Sequence, residues 1–281
     1  MSTLARPWGM LHFELFGDER APRLLYINGS GSRLADIVPM LGPFAKRFRV
    51  LGFDHRGMGE SSVPPNEYAM TDLADDVLAL VDHVKWPRFR MFGISFGGMV
   101  AQHVAARVPS RIERMVLACT SSGGAGGSSY PLHELYALPG DERAERFPTI
   151  LDTRYTPDFV ANDEMARLLL SAPRPTLVGE AKRGLDLQMN ARRRHDAFEQ
   201  LPAITCPVMV AAGATDGIAP PENCRRLAEH LPDATYREFT GGHMFMLQDR
   251  SATPAMLDFL MSGTEPFSGR NHLRADNSAN E

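Results

Sequence analysis

Cysteine is scarce in this chain, and its three copies, Cys119, Cys206 and Cys224, stand far apart with no C-x-x-C spacing. That pattern argues against both a disulfide framework and a structural zinc site. Nor does any segment approach the roughly 18 unbroken apolar residues of a membrane span. The N-terminal residues lack the apolar stretch and small-residue cleavage site of a signal peptide. An excess of one charge sign is missing as well: 30 basic and 34 acidic residues are mixed along the chain, for a formal net charge of −4. No basic face is therefore on offer to neutralise a run of phosphates. These absences lead to the expectation of a soluble, cytoplasmic protein whose partner is a small molecule rather than nucleic acid.

What the chain does have is apolar content, 43% of its 281 residues, enough for one substantial core with room for an insertion of several tens of residues. Short β-branched and apolar runs alternate with longer segments of helical period, the pattern of an α/β protein with a mostly parallel sheet covered on both faces. Strands are expected at 23–28, 48–53, 89–94, 112–119, 208–212 and 235–239, with a further strand-like run at 10–16. Between them, Leu73, Val77, Leu80, Val81 and Val84 form one helical stripe over 71–84, with Thr71 as the expected N-cap. A second helix over 96–108 must begin directly after the strand at 89–94.

The Ser/Gly-rich stretch 120–129 reads as a linker out of the sheet. From about 130 to 200 the sequence is helical, charged and broken by Pro131, Pro139, Pro148, Pro157, Pro173 and Pro175. This gives an expected organisation of a core at 1–122 and 201–261 with a helical cap at 123–200 inserted between two strands. Residues 262–281 show almost no apolar periodicity and are expected to be a disordered tail.

The chemistry concentrates at Gly93-Ile94-Ser95-Phe96-Gly97, a G-x-S-x-G run lying between an expected strand and an expected helix. A strand that turns sharply into a helix brings the backbone close to itself two residues before and two after the serine, where a side chain would collide. The serine is thereby displayed at the carboxyl edge of the sheet, and the Phe96 N–H at the helix start can bind a developing oxyanion. Ser Oγ is a poor nucleophile unless a base lies within hydrogen-bond reach and a carboxylate orients that base. Asp216 and His243 each follow an expected strand, in the chain order Ser, Asp, His. The plainer readings are a turn aspartate before Gly217 and a surface-loop histidine, one of nine in the chain. The combination of all three positions favours the nucleophilic site.

A second oxyanion donor is expected from the loop after the strand at 23–28, with the Ser30 N–H as candidate because Gly29 permits close approach. Gly29-Ser30-Gly31 also begins like a dinucleotide fingerprint, but the third glycine would fall at Leu34. Gly29, Met99, Met244 and Phe245 are candidate substrate contacts from the core. Leu132, Leu135, Tyr136, Leu138, Phe147, Ile150 and Leu151 could line a pocket from the cap, although ordinary packing explains each one singly.

With these residues in place, the chain resembles the α/β-hydrolase family over nearly its whole length up to about Met261. The resemblance rests on Asn28-Gly29, Asp54-x-Arg56-Gly57-x-Gly59-x-Ser61, Gly93-x-Ser95-x-Gly97-Gly98, Gly213-x-x-Asp216 and Gly242-His243. It implies an eight-stranded sheet with a cap after the sixth strand, and a likeness to capped esterases and enol-lactonases. It also implies a structural role for 54–61, with Arg56 bracing the loop. The family commonly has His-Gly where this chain has Asn28-Gly29.

The expected activity is cofactor-independent and metal-free hydrolysis of a carboxylic ester or lactone, with Ser95 as nucleophile, His243 as general base and Asp216 orienting it. C–C bond hydrolases and perhydrolases use the same triad, and a non-catalytic binding protein of this fold is the third alternative.

Overall fold

Strands buried on both faces need an apolar side chain at every position. In β3 (Arg23–Ile27) and β5 (Phe89–Ile94) nearly every residue is buried, and β7 (Val208–Gly213) is buried throughout. The computed structural model describes residues 2–171 and 177–263. Residues 264–281 of the expected tail, and Pro173 and Pro175, lie outside the described residues.

The chain opens with a hairpin, β1 (Ser2–Arg6) and β2 (Gly9–Phe16), followed by β3, α1 (Leu34–Ala45), β4 (Arg49–Phe53), α2 (Met70–His83), β5, α3 (Phe96–Arg107) and β6 (Ile112–Ala118). Five helices come next: α4 (Leu132–Ala137), α5 (Gly140–Leu151), α6 (Pro157–Asn162), α7 (Glu164–Ser171) and α8 (Gly179–Arg192). The chain then re-enters the sheet with β7, α9 (Pro221–His230), β8 (Ala234–Phe239), α10 (Phe245–Gln248) and α11 (Ala252–Met261). The eight strands lie in the order β1-β2-β4-β3-β5-β6-β7-β8. All pairs from β4 to β8 are parallel, and the two pairs made by β2 are antiparallel.

Alternation along the strands divides the core in two. Leu25, Ile27, Leu51, Met91, Leu117 and Val210 pack with α2, α3 and α9 on one face. Leu24, Tyr26, Val50, Phe92, Val116 and Met209 pack with α1, α10 and α11 on the other. This is a doubly wound α/β sheet, and its carboxyl edge gathers the loops after β3, β5, β7 and β8.

Two details differ from the pattern read in the sequence. β1 carries no apolar alternation; it is a partly exposed edge strand formed by pairing from Ser2 opposite Phe13 to Arg6 opposite Gly9. Thr71 is not the N-cap of α2. The helix starts at Met70 after Ala69, whose N–H donates to the Asp72 carboxylate at 2.8 Å. A carboxylate three residues beyond the cap both satisfies that N–H and complements the helix dipole, so Thr71 falls inside the first turn.

The five helices between β6 and β7 build their own apolar cluster around Leu132, Leu135, Ile150, Leu151, Tyr155 and Met189. α8 lies directly on the loop after β4: a Cβ on Gly184 would overlap the Gly57 carbonyl. That close approach of two backbones requires glycine on both sides.

Candidate active site

β5 ends at Ile94 and α3 begins at Phe96, so Ser95 alone makes the turn, with φ 55° and ψ −119°. A non-glycine residue in this region carries on the order of 1–3 kcal/mol of strain, which the surroundings hold in place. The Ser95 N–H donates to the Ala118 carbonyl at 2.8 Å, and the Thr120 hydroxyl donates to the Ser95 carbonyl at 2.8 Å. The glycines flanking the serine are sterically required: a Cβ on Gly93 would stand 2.7 Å from the Gly97 carbonyl oxygen, and one on Gly97 would run into the Ile27 carbonyl.

The turn presents Ser95 Oγ to His243 Nε2 at 3.0 Å, and His243 Nδ1 faces Asp216 Oδ2 at 2.8 Å. The other Asp216 oxygen accepts the backbone N–H groups of Ile218 and Ala219 at 2.8 and 2.9 Å. Asp216 is 2% exposed and Ser95 8%, so this chain of polar groups runs from the interior to a nearly closed surface. The expected trio is thus brought together from three separate loops.

The loop after β3 closes on the same point. A Cβ on Gly29 would be 3.6 Å from that of Ser95. Among the described residues, neither the Ser30 nor the Phe96 N–H has a protein acceptor. Where a histidine is common, Asn28 donates through Nδ2 to the Phe53 carbonyl at 3.2 Å, while His55 Nε2 lies 3.1 Å from the Asn28 carbonyl. His55 packs edge-on against Phe53 and Phe96, and its burial lowers its pKa to about 4. A neutral imidazole donating from Nε2 therefore ties the loop to the next strand.

The run from Asp54 to Ser61 serves as a brace. The Asp54 carboxylate meets His12 Nδ1 at 2.7 Å and accepts the N–H groups of Leu34 and Glu60 at 2.6 and 3.1 Å. Arg56 donates to Asp76 at 2.6 Å and is sandwiched near the rings of Trp8 and Tyr68.

The candidate pocket residues divide. Met99 lines a cavity beside the site, and Met244 packs against the apolar cluster of the insertion. Leu132, Leu135, Ile150 and Leu151 belong to that cluster, Leu138 and Phe147 border it, and Tyr136 is 37% exposed. Phe245 is not a substrate contact: it is fully buried and stacks on Phe239, with ring centroids 5.4 Å apart, in the core on the opposite face of the sheet. The start of α10 turns its ring away from its sequence neighbour His243.

Three residues without a sequence motif also support the site. Gln188 of α8 accepts the Gly31 N–H at 2.7 Å. Gln248 accepts the Gly242 N–H at 2.9 Å and donates to Asp152 at 2.9 Å, while the His243 N–H donates to the Leu151 carbonyl at 2.7 Å. The insertion thereby touches both the loop that carries the histidine and the loop after β3.

One trio of metal-ligating types occurs among the described residues, Cys119, Asp216 and His243, with ligand atoms within 4.8 Å of one another. Asp216 and His243 are committed to each other. Burial first, and then the nearby Asp216 charge, push the Cys119 thiol well above its ordinary pKa, which makes it a poor ligand.

The fold and this geometry define a class, and comparison with known proteins agrees. The chain belongs to the α/β-hydrolase fold family, whose sequence profile matches residues 22–249. It is 27% identical over 243 residues to 3-oxoadipate enol-lactonase 2 of Acinetobacter baylyi, a match covering 86% of this chain and 89% of that protein. Over 241 residues it is 29% identical to the poly(3-hydroxyalkanoate) depolymerase of Ectopseudomonas oleovorans, covering 84% and 83%. Its structure is similar to that of the enol-lactonase from Burkholderia xenovorans LB400, with a TM-score of 0.77, 28% identity and coverage of 92% and 99%. The protein is a hydrolase. Among the described residues no helix is long and apolar enough to cross a membrane.

Proposed function

We propose that this hydrolase cleaves a carboxylic ester or lactone through an acyl-enzyme on Ser95. The observation that carries the reading is the continuous line from Asp216 Oδ2 through His243 to Ser95 Oγ, with links of 2.8 and 3.0 Å. In this reading Oγ attacks the carbonyl carbon while His243 Nε2 takes its proton and then delivers it to the leaving alkoxide. Water enters next, gives its proton to the same nitrogen, and releases the acid and the free serine. Asp216 fixes the tautomer with Nδ1–H toward the carboxylate and stabilises the imidazolium formed at each step.

The amides of Phe96 and Ser30 are the proposed oxyanion donors, each contributing on the order of 3 kcal/mol to lowering the barrier. Their lack of protein acceptors and their position beside Ser95 support that role. Residues 123–200 act as a cap that sets which substrates enter, a reading supported by the contacts of α5 and α8 with the two site loops. Names of relatives that include an enol-lactonase and a polyester depolymerase fit ester and lactone chemistry.

The test is treatment with an activated fluorophosphonate followed by intact-mass measurement. The wild type should gain one phosphonyl group and Ser95→Ala none. An unmodified wild type would overturn the proposal. A panel of esters and lactones, with a vinylogous 1,5-diketone included, then separates ester cleavage from C–C bond cleavage.

A further inference from the structure

Three arginines are buried among the described residues, Arg56, Arg90 and Arg192. Arg56 is paired with Asp76 at 2.6 Å and Arg90 with Glu113 at 3.3 Å. Arg192, 5% exposed at the end of α8, has no carboxylate within 4 Å among the described residues. Its Nη1 donates to the Tyr130 carbonyl at 2.9 Å and its Nη2 to Ser129 Oγ at 2.6 Å, while Nε is buried without a partner. A guanidinium has five N–H donors, so three are left over. Burial brings the pKa of Arg192 down to about 10, which leaves it cationic at neutral pH. A buried charge without a counter-charge is costly, and such charges are ordinarily paired.

The guanidinium borders a cavity of about 100 Å³ lined by Met99, Ser121, Ser129, His133 and His195 among others, with no acidic residue on its wall. At about 30 Å³ per water, that space matches a few waters or one small anionic group. Two further polar atoms of the lining, Ser121 Oγ and His133 Nδ1, are buried without partners. Two exposed acids lie near the lining, Glu134, 3.8 Å from His133 Nε2, and Asp196, bridged to Gly123, and neither pairs with Arg192.

The position relative to the chemistry follows from two helices. Met99 stands one turn beyond Ser95 on α3, its N–H 3.3 Å from the Ser95 carbonyl. Gln188, one turn before Arg192 on α8, holds Gly31 in the loop after β3. A helical turn is about 5.4 Å, so the cavity lies within reach of a short substituent on a substrate whose carbonyl is at Ser95.

We propose that Arg192 anchors a carboxylate carried by the substrate, so that the ester or lactone cleaved here is an anionic one. The proposal rests on the assignment of Ser95 as the acylated residue. Planar guanidinium and carboxylate match in charge and geometry, and a bound carboxylate would supply acceptors that the cavity lacks.

The experiment compares kcat/KM for 4-nitrophenyl monoesters of succinate, glutarate and adipate with that for their carboxamide-capped counterparts, which have nearly the same shape and no charge. The wild type should favour the carboxylate by about tenfold or more for at least one chain length, the value of one charge-assisted hydrogen bond or more. Arg192→Gln, which keeps donors for Tyr130 and Ser129, should bring that ratio to near one. A wild-type ratio near one, or a ratio that survives in Arg192→Gln, overturns the proposal.

Should the variant not fold, wild-type inhibition decides. Glutarate should inhibit hydrolysis of a neutral ester about tenfold more strongly than glutaramide, and equal inhibition refutes the anchor. If the wild type cleaves none of the esters and gains no phosphonyl group, the Ser95 reading fails by itself. Calorimetric binding of glutarate against glutaramide then reports on Arg192 alone, with no glutarate preference refuting the anchor.

Discussion

Gln188 Oε1 accepts the backbone N–H of Gly31 at 2.7 Å, joining residues 157 positions apart across the gap between the helical insertion and the loop after β3. Gln188 is fully buried and Leu185, one turn earlier, stands against Gly31. The bond holds the residue next to Ser30, so it bears on where the proposed oxyanion donor points rather than on the fold as a whole. Gln188→Leu should lower kcat by about 10- to 100-fold through misplacement of that loop, while the melting temperature falls by only a few degrees. Steady-state kinetics that separate kcat from KM check this. A change confined to KM would show that Gln188 contacts substrate and does not position the loop.

Asp216→Asn tests the carboxylate without removing its scaffold. The asparagine carbonyl can still accept from Ile218 and Ala219, which bond to the Asp216 Oδ1 at 2.8 and 2.9 Å. Its amide, however, donates toward Nδ1 and selects the tautomer with the proton on Nε2, where the base is needed. A loss of kcat of about 10³- to 10⁴-fold with a native circular dichroism spectrum is expected. A loss below tenfold would remove Asp216 from the mechanism.

The elements that could be read in advance are those whose chemistry is local in the chain. Gly93 and Gly97 are legible because the turn at Ser95 excludes any Cβ there, and Asp216 and His243 because each follows a strand, β7 and β8, in the chain order Ser, Asp, His. The sheet was legible from its apolar runs. β1 was not, since Ser2–Arg6 becomes a strand only through its partner β2. Phe245 was misread because closeness in sequence to His243 does not survive the turn into α10, which sends the ring to the opposite face. Gln188 and Arg192 owe their significance to how α8 lies over the sheet edge, and no local pattern encodes that.

Asp76 offers a test of the brace beside the site. One of its oxygens accepts from Arg6 and Trp8, each at 3.0 Å, and the other from Arg56 at 2.6 Å. Asp76→Asn leaves the Arg56 charge buried and uncompensated, a change that costs about 3–5 kcal/mol. At about 2–4 °C per kcal/mol for a chain of this size class, the melting temperature should drop by roughly 6 °C or more. Active-site titration should show that kcat per folded molecule changes less than about threefold. An unchanged melting temperature would deny the brace its role.

Three buried histidines make stability depend on pH in a window of their own. Burial lowers His55 from 6.5 to about 4, burial together with the neighbouring His103 lowers His195 from 6.5 to about 3, and burial lowers His103 as well. His55 and His195 are therefore neutral in the folded state at a pH where the unfolded chain already takes up protons. The sign follows: their contribution is whole above about pH 6.5 and is lost as pH falls toward the folded values. Each should remove on the order of 2 kcal/mol by pH 5. Carboxylates with shifted pKa do not confuse the window, because Asp18, Asp36, Asp152 and Asp249 are lowered from 3.8 and weaken the fold only below about that pH. Urea denaturation at pH 8, 7, 6 and 5 should thus show a plateau and then a decline. His195→Gln, whose side chain can still donate toward the Ser121 carbonyl 3.0 Å from His195 Nε2, should flatten that decline in part. Stability unchanged between pH 7 and 5 in the wild type would mean that these imidazoles reach solvent protons in the folded state.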